Sequence, residues 1–355
     1  MSINQVICYH KSNENIELEW VFAMKRIVAL IIAATLFFVG IGFSFMNMML
    51  SADIDRFMQT DFIDEVPKST YEMGAPTNKV AIVNVEGAIM NQPASTFGAV
   101  GYNHELTLEA LKEIRDDASI SAVLLHVDSP GGGVYESAEL HKLLVEIKEQ
   151  DKTIYSTMGN MAASGGYYIS APADKIFASR ETLTGSIGVI MSGFNASELM
   201  DNLGIEETTW ASGDMKNMGS MFTPMTEEED EYFQYLTDSM HDDFVQVIVE
   251  GRDMDESDVR DLADGRIYLA EDAIENGLVD EIGNFDDALA ALKEEVGENA
   301  QVIEYGMPEA NPLFGIPIPG IKQTLGSLLF EDHASQLDYI QYLNVHPRPM
   351  YLYNE

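Results

Sequence analysis

Residues 120–158 read ISAVLLHVDSPGGGVYESAELHKLLVEIKEQDKTIYSTM, and this stretch decides the fold. Its first ten residues are an almost continuous apolar run of strand length, and the last six, TIYSTM, form a second run rich in β-branched and aromatic residues. Between them YESAELHKLLVEIKEQ spaces its apolar residues near the 3.6-residue helical period. The same alternation continues upstream, where residues 80–89 (VAIVNVEGAI) read as a strand and residues 106–117 (LTLEALKEIRDD) as an amphipathic helix. Strands alternating with helices predict a parallel sheet covered by helices, the α/β class. Downstream, Thr226 precedes a run of acidic residues and begins a long helix free of Pro and Gly as far as Glu250. DALAALKEEVG (residues 287–297) predicts a closing helix, and the chain beyond Ala310 is rich in Pro and Gly and predicted to lie over a surface. No internal repeat of fixed period is present.

Ahead of this core, residues 27–46 (IVALIIAATLFFVGIGFSFM) are uncharged and long enough to cross a bilayer as a helix. Lys25 and Arg26 precede the run, and Asp53 and Asp55 follow it. The positive-inside rule then places the N-terminus in the cytoplasm and the remainder outside. A cleaved signal peptide is the other reading, but the run is longer than a signal core and lacks a small-x-small cleavage site. The expected organisation is a cytoplasmic segment over 1–26, a transmembrane anchor over 27–50, a linker over 51–78, the α/β core over 79–300 and a tail over 301–355. MKRIVAL at Met24 reads as a natural start, with 1–23 as an upstream extension.

Fifty-nine acidic residues against 20 basic ones give a formal charge of −39. A surface so rich in carboxylates repels a phosphate backbone, so nucleic acid is not an expected partner; it suits a saline medium, where salt screens self-repulsion. The single cysteine, Cys8, forbids an intrachain disulfide and a cysteine-cluster zinc site, and the seven histidines form no HExxH. No metal or other cofactor is expected.

Two motifs follow consecutive predicted strands, where open α/β sheets place their sites. Asp128-Ser129-Pro130-Gly131-Gly132-Gly133 can turn with positive φ and present free N–H groups, as an oxyanion hole requires, or it can be a tight strand-to-helix turn. It lacks GxGxxG spacing and is not a dinucleotide fingerprint. In the second motif, NMAASGGYY (residues 160–168), Ser164 stands among small residues at a helix start. It is either an exposed nucleophile or part of a closely packed helix entry. A serine nucleophile needs a base. No histidine lies between His141 and His241, and His126 reads as a packed core residue. Lys216 is the sole lysine between Lys175 and Lys293. Amid the methionines and glycines of SGDMKNMGS it can be desolvated, which favours the neutral amine of a general base; the alternative is a solvated surface lysine. Ser186, in TGSIG, is the candidate hydroxyl for orienting that amine.

DSPGGG, NMAASGGYYIS, ETLTGSIGV, SGDMKNMGS and GRIYLAEDAIENGLVDEIG, in this order, resemble the signal peptide peptidase SppA family. These are Ser–Lys peptidases related to the Clp protease proteolytic subunit and to crotonases. The resemblance covers residues from about 80 to 292 and implies a ClpP/crotonase-like fold of repeated ββα units. It assigns Ser164 as nucleophile, Lys216 as general base, Ser186 as the residue orienting the lysine, and the N–H groups of Gly131 and Gly165 as the oxyanion hole. The implied substrates are hydrophobic peptides such as signal peptides left in the membrane. One copy of the core per chain implies a ring-like homo-oligomer whose dyad is shared between adjacent subunits.

A crotonase-type acyl-CoA enzyme and a non-catalytic membrane-anchored scaffold are the competing classes; neither requires Ser164 with Lys216. The last nine residues, PRPMYLYNE, alternate apolar side chains and can add as a strand to a peptide groove, or else fray.

Overall fold

The computed structural model describes residues 66–91, 102–306 and 350–352. The segments read as cytoplasmic (1–26) and as a transmembrane anchor (27–50) lie outside the described residues, as do most of the linker and most of the tail. Among the described residues no helix is long and apolar enough to cross a membrane.

The strands are β1 (Lys68–Glu72), β2 (Ala75–Glu86), β3 (Ile120–Ser129), β4 (Gly131–Gly133), β5 (Thr153–Ala163), β6 (Lys175–Ala178), β7 (Leu183–Gly185), β8 (Ile267–Leu269), β9 (Glu281–Ile282), β10 (Ala300–Tyr305) and β11 (Met350–Leu352). The helices are α1 (His104–Asp116), α2 (Val134–Lys148), α3 (Gly165–Ser170), α4 (Ser197–Leu203), α5 (Glu227–Arg252), α6 (Glu256–Leu262), α7 (Ala270–Glu275) and α8 (Phe285–Val296). One sheet runs in the order β1-β10-β2-β3-β5-β6-β9, with β7 beside β5 and β8 beside β7. From β10 to β9 every pairing along this path is parallel. β1 and β10 extend the sheet past both expected core limits, into stretches read as linker and tail.

The central strands are continuous apolar runs because both faces of the sheet are covered. One face packs Val80, Ile82, Ala122, Leu124, Tyr155 and Phe177 under α8. The other packs Val83, Val123, Leu125 and Ile154 under α1, α2, α3 and α5. Burying each such aliphatic side chain contributes about 1.5–3 kcal/mol. His126 lies on the α8 face, edge-on to Phe285 with ring centroids 5.6 Å apart.

Helix ends are closed by side chains. Asn103 Oδ1 accepts the Leu106 N–H at the start of α1. At its other end the Lys152 ammonium donates to the carbonyls of Ile114, Arg115 and Asp117. Thr226 and Glu229 form a reciprocal capping box on α5, which runs on through Gly251 to Arg252. Gly251 is where α5 crosses the chain after α3, and a Cβ there would lie 2.8 Å from the Ala171 carbonyl carbon and 3.2 Å from the Pro172 nitrogen.

Helix propensity favours alanine over glycine by about 1 kcal/mol. Overpacking against rigid backbone costs about 1–3 kcal/mol, so Gly251→Ala should lower the denaturant midpoint. A raised midpoint would show that α5 has room to stand away from the sheet.

Candidate active site

β5 does not stop at the apolar run TIYSTM; it continues through Gly159 and Asn160 to Ala163 and delivers Ser164 at its C-terminal end. Its register against β3 shifts near Ser129, and Asp128 Oδ1 accepts the Met161 N–H at 3.0 Å across that irregularity. Gly159 permits this, since a Cβ there would lie 2.8 Å from the Asp128 Cβ. Ser164 then adopts φ 52°, ψ −115°, a turn that non-glycine residues rarely enter, before α3 begins at Gly165. Strain of this kind costs about 1–3 kcal/mol and persists where neighbours enforce it. Here they do. The Ser164 N–H donates to the Gly185 carbonyl at 2.7 Å, and the Tyr168 N–H to the Ser164 carbonyl at 2.8 Å. Ser164 is 1% exposed, and its Oγ makes no hydrogen bond among the described residues.

Ala163 pairs with Gly185 in parallel register, so Ser164 and Ser186 each follow one residue after the pair and stand side by side. Ser186 also has positive φ, 50°, and its N–H donates to the Arg266 carbonyl at 2.8 Å.

The glycine motif reaches the same point from β3. Gly131 has φ 100°, and a Cβ on it would strike the Tyr351 carbonyl and come within 2.7 Å of the Gly165 nitrogen. A Cβ on Gly165 would lie 3.1 Å from the Gly132 nitrogen and 2.6 Å from Ser137 Oγ. Gly131, Gly132 and Gly165 are therefore in backbone contact beside Ser164. The Gly131 N–H donates to Ser129 Oγ at 3.1 Å. Residues 131–133 are extended rather than a simple turn. Gly133 N–H donates to the Ile89 carbonyl at 2.9 Å, and Ile89 N–H to the Gly131 carbonyl at 2.8 Å.

Along the other edge of this short strand lies the tail. β11 pairs antiparallel with β4, Met350 opposite Gly133, Tyr351 opposite Gly132 and Leu352 opposite Gly131. Met350 also exchanges both backbone hydrogen bonds with Ile190, at 3.0 and 3.1 Å. An extended segment thus occupies a groove whose floor is the glycine motif.

Lys216 is placed differently. It sits on the 3-10 turn Asp214–Asn217, exposed to solvent, and among the described residues it makes no side-chain hydrogen bond or ion pair. The desolvation expected from its methionine and glycine neighbours does not occur within one chain: the segment around it is hydrogen-bonded to residues 195–207, the Ala196 N–H to the Met221 carbonyl and Ser220 Oγ to Glu207, but the lysine side chain faces solvent. Phe194, Leu199, Leu203, Ile205 and Phe222 are exposed there, and Trp210 is 91% exposed. The structure brings Ser164, Ser186, Gly131 and Gly165 together and leaves Lys216 apart. Sequence reading missed Ser129, Ser137 and the ring of Tyr168 at this site; the hydroxyls carry no pattern, and Tyr168 is marked only by its place four residues after Ser164.

The family model described as Peptidase family S49 matches residues 146–299. A chain of Enterococcus faecium named as a signal peptide peptidase SppA is 48% identical over 244 residues, 68% of this chain and 71% of the relative. A protease of Methanocaldococcus jannaschii is 39% identical over 227 residues, 63% of this chain and 73% of the relative. Protease 4 of Haemophilus influenzae is 32% identical over 238 residues, 67% of this chain but 38% of the relative. With two relatives matched along more than two thirds of their length, and with a buried serine strained at a parallel strand's end beside a glycine floor, the chain belongs to peptidase family S49.

Proposed function

We propose that this serine protease works through Ser164 as nucleophile and Lys216 as general base, that residues 27–50 anchor it in the membrane, and that it degrades hydrophobic peptides such as spent signal peptides. The observation that carries the reading is Ser164 itself, held at φ 52° against Gly131–Gly132 with an extended strand lying in the adjoining groove. Two strand–short strand–helix units, β2–Ile89–α1 and β3–β4–α2, support a ClpP/crotonase-like core, with Ile89 bridging Gly132 in parallel.

In the reaction, neutral Lys216 takes the Ser164 proton as Oγ bonds to the scissile carbonyl carbon. The carbonyl oxygen takes up negative charge and is held by N–H groups of Gly131 and Gly165, which requires the Gly131 amide to exchange Ser129 Oγ for the substrate. Loss of one such donor typically costs about 10²–10³ in kcat. Lys216 returns the proton to the departing amine, and water then hydrolyses the acyl-enzyme by the same steps. Ser186, beside Ser164, orients the amine.

The lysine comes from an adjacent subunit of a ring-like homo-oligomer. Exposure of Lys216, together with the apolar surface of residues 194–222, supports this, since a patch of that kind marks an interface. The N-terminus is cytoplasmic and the catalytic domain, 79–300, extracytoplasmic.

Three outcomes test the reading. Ser164→Gly should abolish peptide hydrolysis yet raise the denaturant midpoint, because relief of about 1–3 kcal/mol of strain exceeds the about 0.5–1 kcal/mol entropic cost of glycine; retained hydrolysis would remove Ser164 from the chemistry. Inactive Ser164→Ala and Lys216→Ala chains, mixed, should regain part of the wild-type rate, whereas a mixture as dead as its components would confine the dyad to one chain. Because the base acts unprotonated, kcat/KM should rise with pH through one ionisation. A decline above neutral pH would exclude a lysine base.

A further inference from the structure

Of the two amides proposed to hold the oxyanion, one already has a partner inside the chain. The Gly131 N–H donates to Ser129 Oγ at 3.1 Å. Ser129 is the last residue of β3, is paired with Ala162 of β5 and is 0% exposed. Gly166 packs against it so closely that a Cβ there would lie 2.8 Å from the Ser129 carbonyl oxygen and 3.5 Å from its Cβ. The hydroxyl is therefore held in place beside the glycine floor, away from solvent.

As an acceptor this hydroxyl is weak. Its own proton has only the Gly131 carbonyl, at 3.5 Å, beyond the usual range of a hydrogen bond, and that carbonyl already accepts the Ile89 N–H at 2.8 Å. A hydrogen bond to a charged acceptor is about twice as strong as one between neutral groups. Exchange of the Gly131 amide from Ser129 Oγ to an oxyanion is therefore favourable, whereas exchange to the neutral carbonyl of a bound peptide gains nothing. The tail strand illustrates the second case. Leu352 lies opposite Gly131 and Tyr351 opposite Gly132, so an extended main chain fills the groove, yet the Gly131 N–H stays on Ser129 Oγ. Seating a chain against the glycines does not by itself release this donor.

We infer that Ser129 is a positioning residue that withholds the Gly131 amide from neutral carbonyls and yields it only to the tetrahedral oxyanion. A donor released in this way stabilises the transition state and not the bound substrate, so it raises kcat without lowering KM. The inference rests on Ser164 as nucleophile and Gly131 as oxyanion donor, as proposed above, and adds the control of that donor.

The test compares the full-length wild type, Ser129→Ala and Ser129→Thr in hydrolysis of one fluorogenic hydrophobic peptide, with denaturant midpoints measured alongside. Without the hydroxyl the Gly131 amide is open to the substrate carbonyl before attack. KM should then fall about 3- to 10-fold, the contribution of one net hydrogen bond, with kcat unchanged. In a Ser164→Ala background, where nothing is cleaved, the Kd of the same peptide should fall by the same factor. Ser129→Thr keeps the acceptor and should keep the wild-type KM. The midpoint of Ser129→Ala should drop, because a buried N–H loses its partner. A residue that only braces the turn would lower the midpoint too, but with kcat reduced and KM unchanged or raised; that result would overturn the inference, as would a fall in KM shared by Ser129→Thr. An active wild type whose KM and Kd are matched by Ser129→Ala removes the role of Ser129 alone, whereas a wild type that hydrolyses no peptide removes the protease reading and this role with it.

Discussion

The contact of bare backbone on bare backbone, Gly131–Gly132 against Gly165, sets the position of everything else at the site. Any side chain at Gly131 would push the Gly165 nitrogen away, and any side chain at Gly165 would meet the Gly132 nitrogen and Ser137 Oγ. The same economy holds one residue on, where a Cβ on Gly166 would lie 2.8 Å from the Ser129 carbonyl oxygen. With that space closed, the chain leaving β5 has one way to turn, and the turn places Ser164 at positive φ. The strain at the serine and the glycine composition of its neighbours are two sides of one steric constraint.

The α/β core is legible in the sequence because a doubly covered sheet demands apolar residues at nearly every strand position, as in residues 80–89 and 120–129. Edge strands lack that demand. β1 (KSTYE) is largely exposed, so it reads as linker although it pairs with β10. The end of β5 is hidden for another reason: Gly159 and Asn160 look like a break, and long-range contacts carry the strand across it, the Met161 N–H donating to Asp128, Thr182 Oγ1 to the Gly159 carbonyl, and Met161–Ala163 pairing with β7. Gly131–Gly133 carries no strand signal at all, since glycine is disfavoured in strands and the partners are the single residue Ile89 and β11, the latter more than 200 residues away.

The site divides in the same way. Ser164, Gly131 and Gly165 are legible because small residues in a fixed order are needed for the turn, and Ser186 because it follows a strand paired in register with β5. Lys216 is legible as an isolated lysine, but its exposure is not, because methionine and glycine neighbours in sequence do not state whether they bury a side chain. The packing of Tyr351 against Tyr168 and Phe244 joins segments far apart in the chain, and no local pattern announces it. Among these segments, only PRPMYLYNE shows an alternation that suits a groove.

The two-sided ladder around β11 has a physical corollary for whatever enters the groove. Met350 is hydrogen-bonded through its backbone to Ile190 and paired with Gly133, so the groove holds the tail fully extended. An α-helix has already spent its N–H and C=O groups on itself and offers the groove nothing. A peptide that is helical in lipid must therefore unwind before it can dock, and unwinding within hydrocarbon would strand its backbone groups without partners at several kcal/mol each. For the hydrophobic peptides proposed above as substrates, the reacting segment would have to leave the bilayer before docking, so that extraction and cleavage would be separate steps.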